Sequence, residues 1–316
     1  MKLRKVGVIG LGHVGAHVAY SLALQGICDE LVLIDKDEKK VKAERQDLQD
    51  SATYLPHRIR VKVGNFDDLG DCDVVVNSIG KISLLTTGTR LSEMDFTIEQ
   101  VDSYIDKVGN SGFDGVFVNI TNPCDIVTEF IDGRLNLPKG RVLGTGTGLD
   151  TSRLKAVLAR QTGLDEKSIT AYMLGEHGAS QFAAWSCVNF NGKPLSEWAK
   201  VDERFRFDGE ALHQESIDNA WVTYAGKACT EYGIAATAAR MVSIVLHDEK
   251  TIMGASCKLE GEYGESNVFA GVPAVLGASG VEEVIELPLT EEELNRFHIC
   301  CDDIRSNRER VKVILK

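Results

Sequence analysis

The segment KVGVIGLGHVGAHVAYSLALQG (5–26) constrains this chain more than any other. KVGVIG (5–10) is a short apolar run, and HVGAHVAYSLALQG (13–26) has helical spacing. Between them stand Gly10, Gly12 and Gly15, in the pattern GxGxxG. A strand that turns at once into a helix through three glycines fits the opening of a βαβ unit. The alternation continues. ELVLID (30–35), IRVKVG (59–64), DVVVNSIG (73–80), GVFVNIT (115–121) and RVLGTG (141–146) read as strands. EKKVKAERQDLQDSA (38–52), LSEMDFTIEQVDSYIDKVGNSG (91–112) and a segment from Pro123 read as helices. Strands alternating with helices of this length imply an α/β protein built on a doubly wound parallel sheet.

After about residue 147 the pattern changes. A helix from Leu149 is followed by a twisted hairpin across 168–192, two helices over about 209–247 and further strands. The chain closes on TEEELNRFHICCDDIRSNRERVKVILK, read as one helix with an acidic start and a basic end. The expected organisation is a Rossmann-type dinucleotide-binding domain over 1–146 and an α+β substrate-binding and catalytic domain over 147–316.

The glycine loop is the first chemical motif. Gly10 permits the sharp turn, Gly12 lets backbone approach a pyrophosphate, and Gly15 lets helix pack on strand. His13 and Val14 lie inside the loop and join the three glycines as cofactor-binding positions. The helix N-terminus then meets the anion with free N–H groups. Asp35 ends the next strand 20 residues after Gly15. It would accept hydrogen bonds from the adenosine ribose and repel a 2′-phosphate, which favours NAD. The competing reading makes Asp35 the N-cap of the following helix.

Composition removes other classes. The net charge of −12 speaks against a phosphate-backbone partner, so no nucleic acid is expected. No apolar run approaches bilayer length, so no membrane partner is expected either. Eight Cys without a CxxC or metal-ligand spacing suit reduced thiols in a cytoplasmic protein with no metal.

A dinucleotide implies hydride transfer, which needs a proton partner. LGEHGASQ (174–181) offers His177, fenced by Gly175 and Gly178. Histidine titrates near working pH. Glu176 is its neighbour, but neighbours on a strand face opposite ways. GLDTSRLK (148–155) offers a better partner. Asp150 and Arg153 share one helix face at i, i+3, so a carboxylate could hold the imidazole beside a guanidinium that grips a substrate carboxylate. The bland alternatives are a helix cap for Asp150 and a surface ion pair for Arg153.

GLGHVG, VLID, ITNP, GLDTSR and LGEHG, in this order and at these spacings, resemble the lactate/malate dehydrogenase family over essentially the whole chain. The runs GLGHVGAHVA, VKAERQDLQD and LGEHGASQFAAWS are most similar to its bacterial L-2-hydroxyisocaproate branch. The resemblance implies roles. His177 matches the family's proton donor and acceptor, Asp150 its carboxylate partner, and Arg153 the arginine that binds the substrate carboxylate. Arg90 matches the arginine on a mobile loop that polarises the carbonyl. Asn122 matches an asparagine near the nicotinamide, Thr230 a substrate-pocket residue, and Ile234 an apolar residue behind the ring. It also implies a homo-oligomer, with a tetramer favoured. The family's sugar-phosphate-activated members use an arginine and a histidine where this chain has Lys155 and Thr170, so that regulation is not expected.

The expected substrate is a small 2-hydroxy or 2-oxo acid. Arg90 is the only arginine between Arg60 and Arg134, which leaves no second lid arginine for a distal carboxylate. Lys81 is the one cation at the root of the lid. The side chain facing the substrate should lie within Ser83 to Thr87, with Leu84 and Leu85 favoured; Gly80 and Gly88 are candidate hinges. Leucines there favour apolar side chains, so a 2-hydroxyisocaproate-type acid ranks first and lactate second. A catalytically silent NAD-binding sensor is the alternative of another class, and the joint presence of His177, Asp150, Arg153, Arg90 and Asn122 argues against it.

Overall fold

Six strands carry the first half: β1 (Lys5–Ile9), β2 (Glu30–Ile34), β3 (Arg60–Val63), β4 (Val74–Asn77), β5 (Val116–Asn119) and β6 (Val142–Gly144). They pair in parallel in the order β6-β5-β4-β1-β2-β3. β4, β5 and β6 are buried along their whole length, as strands covered on both faces must be. The structure is a computed structural model that describes residues 3–84 and 90–315, with backbone alone at Ile82, Arg90 and Ser92.

The connecting helices are α1 (His13–Gln25), α2 (Glu38–Ser51), α3 (Met94–Asn110) and α4 (Cys124–Leu135). Their ends follow local chemistry. Gly26 closes α1 in the left-handed region, at φ 65°. Asp37 caps α2, accepting hydrogen bonds from the N–H groups of Lys39 and Lys40. The strand order reverses between β1 and β4, which opens a crevice at their C-terminal ends. The glycine loop leaves β1 at that point.

α5 (Gly148–Thr162) begins the second half. The hairpin expected across 168–192 is realised as five two-residue strands: β7 (Ile169–Thr170), β8 (Met173–Leu174), β9 (Phe182–Ala183), β10 (Asn189–Phe190) and β11 (Lys193–Pro194). β8 pairs with β9, while β10 lies between β7 and β11. Then come α6 (Leu195–Val201), α7 (Gly209–Lys227) and α8 (Tyr232–His247), with α8 packed against α1. β12 (Thr251–Glu260), β13 (Ser266–Gly277) and β14 (Gly280–Val284) run antiparallel and extend the first sheet past β6, through the pair Ser256–Gly144. Both halves therefore share one sheet of nine strands among the described residues.

The last helix is broken, not continuous. α9 (Glu291–Arg308) starts in a capping box between Thr290 and Glu293, and α10 (Val311–Ile314) follows after a turn. The turn swings Val311 and Ile314 back onto the core beside α3. No described helix is long and apolar enough to cross a membrane. The eight cysteines are unpaired thiols, all but Cys187 buried.

Gly15 shows why the loop takes glycine. A Cβ there would sit 1.8 Å from the carbonyl oxygen of Gly10 and 2.4 Å from Ser78 Oγ. The backbone oxygen cannot retreat without moving the turn. Gly15→Ala should lower stability by about 1–3 kcal/mol, the usual cost of overpacking. A thermal melt unchanged from wild type would show that helix and strand are not in close contact here.

Candidate active site

The crevice is built from backbone more than from side chains. Gly10 holds a φ of 86°, the left-handed region that glycine enters freely. A Cβ on Gly12 would meet nothing within 4 Å, so this glycine faces open space. α1 begins there with no side-chain cap, which leaves its first N–H groups for an anion. Gly12, His13, Val14, Thr121, Asn122 and Ile234 are among the residues around a cavity of about 200 Å³. Asn122 Oδ1 is buried there without a partner among the described residues, and the Asn122–Pro123 bond is cis.

Asp35 closes the far end of the loop. Its Oδ2 accepts the Leu11 N–H at 2.6 Å and its Oδ1 the Asp37 N–H at 2.9 Å. The N-cap of α2 is Asp37, so the capping alternative for Asp35 fails. An open glycine cradle, an uncapped helix N-terminus, an orphaned amide oxygen and an acid at the end of β2 are a set that fits a dinucleotide.

At the other end of the crevice, Asp150 lies in the first turn of α5, 5% exposed. Its Oδ2 accepts from His177 Nδ1 at 2.5 Å, and its Oδ1 accepts from Arg153 Nη1 at 2.9 Å. The N-cap position of α5 is Thr147, and Arg153 is largely buried, so neither the capping role nor the surface pair describes these residues. The bond to Nδ1 selects the tautomer and leaves Nε2 for the cavity.

The turn that carries His177 is fixed from two sides. Gly175, at φ 91°, exchanges two backbone hydrogen bonds with Gly271 of β13, at 3.0 and 2.7 Å. The His177 N–H donates to Asp125 Oδ2 at 2.8 Å. Asp125 Oδ1 accepts from Ser256 Oγ at 2.5 Å, which ties the same carboxylate to β12. Glu176 instead accepts from Ser180 Oγ at 2.9 Å and does not orient the imidazole.

Asp125 was not singled out from the sequence, where an acid in the first turn of a helix reads as a dipole partner. It is 2% exposed. Burial, the largest influence, pushes its carboxyl up to about 6, against the hydrogen bonds from Ser256 and His177 that pull it down. Asn77 and Asn119 were also passed over, as polar ends of apolar strands. Asn77 Nδ2 donates to Asn119 Oδ1 at 2.9 Å and to Thr121 Oγ1 at 3.0 Å, and Tyr104 OH donates to Asn77 Oδ1 at 2.9 Å. This network sets the turn that leads to Asn122.

A second cavity, about 770 Å³, adjoins the first, and His177, Arg153 and Thr230 line both. Its apolar wall comes from Leu91 and from Ile217, Trp221 and Tyr224 on α7. The signal for this wall was Trp221 on a helix with no clear apolar face; Trp221 remains 40% exposed. Leu84 sits on a short 3₁₀ turn and lines neither cavity. Leu85, Thr86, Thr87 and Gly88 lie outside the described residues, as does the side chain of Arg90. Lys81 holds its ammonium 5.6 Å from the Phe96 ring and also lines neither cavity.

Residues 4–144 match the family model described as lactate/malate dehydrogenase, NAD binding domain, and residues 147–314 match the lactate/malate dehydrogenase alpha/beta C-terminal domain. The class is that of the NAD-dependent 2-hydroxy acid dehydrogenases. Among curated relatives, the L-lactate dehydrogenase of Fusobacterium nucleatum subsp. nucleatum is 43% identical over 303 residues, 95% of each chain. The minor L-lactate dehydrogenase of Enterococcus mundtii, in its ligands-bound form, superposes with a TM-score of 0.92 at 34% identity over 98% of each chain. A lactate dehydrogenase from a Medee basin deep-sea metagenome library gives 0.94 at 31%, over 99% of this chain and 100% of that one. The chain belongs to the lactate/malate dehydrogenase family.

The position of Asp125 makes stability depend on pH in a defined sense. Its folded value lies above the ordinary Asp value of about 4, so ionising it costs the folded state. Its favourable contribution is complete below about 4 and is lost as pH rises through about 6. Asparagine keeps the shape and does not titrate. The melting temperature of Asp125→Asn, relative to wild type, should therefore rise between pH 4.5 and pH 7.5. A difference that stays constant over that range would mean that Asp125 titrates normally.

Proposed function

We propose that this chain interconverts pyruvate and L-lactate. The observation that carries the proposal is Asp150 holding His177 Nδ1 and Arg153 together where the dinucleotide crevice meets the larger cavity. The L-lactate specificity in the names of the relatives favours lactate within that chemistry.

When bound, NADH supplies the hydride that C2 of the oxo acid receives. The remaining work belongs to the chain. Arg153 binds the substrate carboxylate through its guanidinium fork and so orients C2. His177 gives the proton on Nε2 to the C2 oxygen, and Asp150 stabilises the imidazolium beforehand. Arg90 stabilises negative charge developing on that oxygen, the role its family position suggests. Asn122 hydrogen-bonds near the nicotinamide, Ile234 and Val14 offer it an apolar wall, and Asp35 accepts from the ribose. In the oxidative direction His177 accepts the proton.

A second reading, preference for larger apolar 2-oxo acids, is favoured by one observation. Leu91, Ile217, Trp221 and Tyr224 give the larger cavity more apolar wall than a methyl group needs. Each additional buried methylene contributes about 0.8 kcal/mol. Dicarboxylates fit neither reading, because Lys81 is turned onto Phe96 and a buried unpaired carboxylate costs several kcal/mol.

His177→Asn should lower kcat by roughly 10²–10⁴-fold, the share of general acid catalysis, and leave NADH binding nearly intact. Full activity in that variant would remove His177 from the mechanism. A panel of 2-oxo acids, followed through NADH absorbance, should rank pyruvate at or above 2-oxoisocaproate and oxaloacetate far below both. If 2-oxoisocaproate leads, the second reading replaces the first. No turnover on any member would leave an NAD-binding sensor.

A further inference from the structure

One cluster of ligating side chains, at the edge of the dinucleotide crevice, has no part in the proton and hydride transfer described above. His13 lies in the glycine loop, while Cys229 and Glu231 come from the turn between α7 and α8. His13 Nδ1 is 2.9 Å from Glu231 Oε1, and Cys229 Sγ donates to the same oxygen at 3.3 Å. The three ligand atoms all lie within 4.8 Å of one another. Lys227 binds the other carboxylate oxygen, Oε2, with its ammonium 3.8 Å from the Tyr232 ring centroid. One oxygen is thereby held away and Oε1 is left as the hub.

We propose that His13, Cys229 and Glu231 form a binding site for a divalent metal ion of borderline softness, represented by zinc, and that metal and dinucleotide exclude each other. The donor set is one imidazole nitrogen, one thiolate sulfur and one carboxylate oxygen, all of them zinc ligands. A tetrahedral zinc with bonds of about 2.0–2.3 Å separates its ligand atoms by about 3.3–3.8 Å. The separations from Glu231 Oε1, 2.9 and 3.3 Å, need a small expansion around an ion, and the third pair lies within 4.8 Å. In the metal-free protein the hub is held by protons, and metal binding releases the thiol proton.

The location decides the consequence. His13 and Cys229 both line the cavity at Gly12 and Asn122, so a fourth position on the metal faces the place where the pyrophosphate meets the start of α1. The metal would also tie the glycine loop to the start of α8, across the mouth of the crevice. The inference rests on that cavity being the cofactor cleft. It does not depend on which oxo acid is used.

The test uses the whole protein, stripped of metal by chelation. Cobalt(II) is titrated in as a spectroscopic substitute for zinc. A thiolate–cobalt charge-transfer band should appear in the near ultraviolet, vanish on adding NAD, and be lost in Cys229→Ser and weakened in Glu231→Gln. With zinc at ten times its dissociation constant, the apparent KM for NADH should rise about elevenfold by mass action while kcat holds. Each variant is compared with its own metal-free rate, so a changed basal activity does not obscure the result. A band that survives Cys229→Ser and disappears in Cys187→Ser would place the metal on the one thiol that is not buried and overturn the proposal. So would zinc inhibition that NADH does not relieve, or a cobalt band that NAD leaves unchanged. Should Cys229→Ser not fold, displacement by NAD in the wild type still decides the matter.

Discussion

A single buried carboxylate organises the site. Asp150 is almost inaccessible, and its two oxygens hold His177 and Arg153. An ionised carboxylate so deeply placed is tolerable only with its partners in good geometry; removing one would leave an uncompensated buried charge. The arrangement is therefore all or none. It places a guanidinium and an imidazole side by side, and both residues line the same cavity.

That carboxylate depends in turn on how His177 arrives. The imidazole lies 27 residues from Asp150 in the chain, on a turn that would be free without support. Gly271 of β13 takes both backbone hydrogen bonds of Gly175, and Asp125 takes the N–H of His177. Asp125 also holds Ser256 of β12, so the first half of the chain, the turn carrying His177 and the antiparallel extension of the sheet meet at one group. Above it, Asn77, Asn119, Thr121 and Tyr104 fix the carboxyl ends of β4 and β5 through amide and hydroxyl hydrogen bonds. Buried polar networks of this kind are costly unless complete, and when complete they permit one arrangement.

Much of this was legible in advance. The glycine loop, the end of β2 at Asp35 and the pairing of Asp150 with Arg153 are local, and short-range spacing determines short-range geometry. The partners of Asp125 are 52 and 131 residues away, and no periodicity reports such a bond. Asn77 and Asn119 sit in valine-rich strands, where a polar residue looks like a strand end. The wall of Ile217, Trp221 and Tyr224 belongs to a helix with no clear apolar face. The residue facing the substrate was sought at Leu84 and Leu85: Leu84 lines neither cavity, Leu85 lies outside the described residues, and Leu91 lines the larger cavity.

By itself the sequence determined the strand and helix alternation, the glycine loop and the i, i+3 pairing of Asp150 with Arg153, because each is written in neighbours a few positions apart. The tertiary structure alone decided that β12 to β14 join the same sheet, that Asp125 anchors the turn carrying His177, and that α7 walls the larger cavity. It also brought His13 to Cys229 and Glu231, 216 and 218 residues further along the chain. Contacts of that range are selected by the global packing of helices on a twisted sheet, and only the folded chain contains that information.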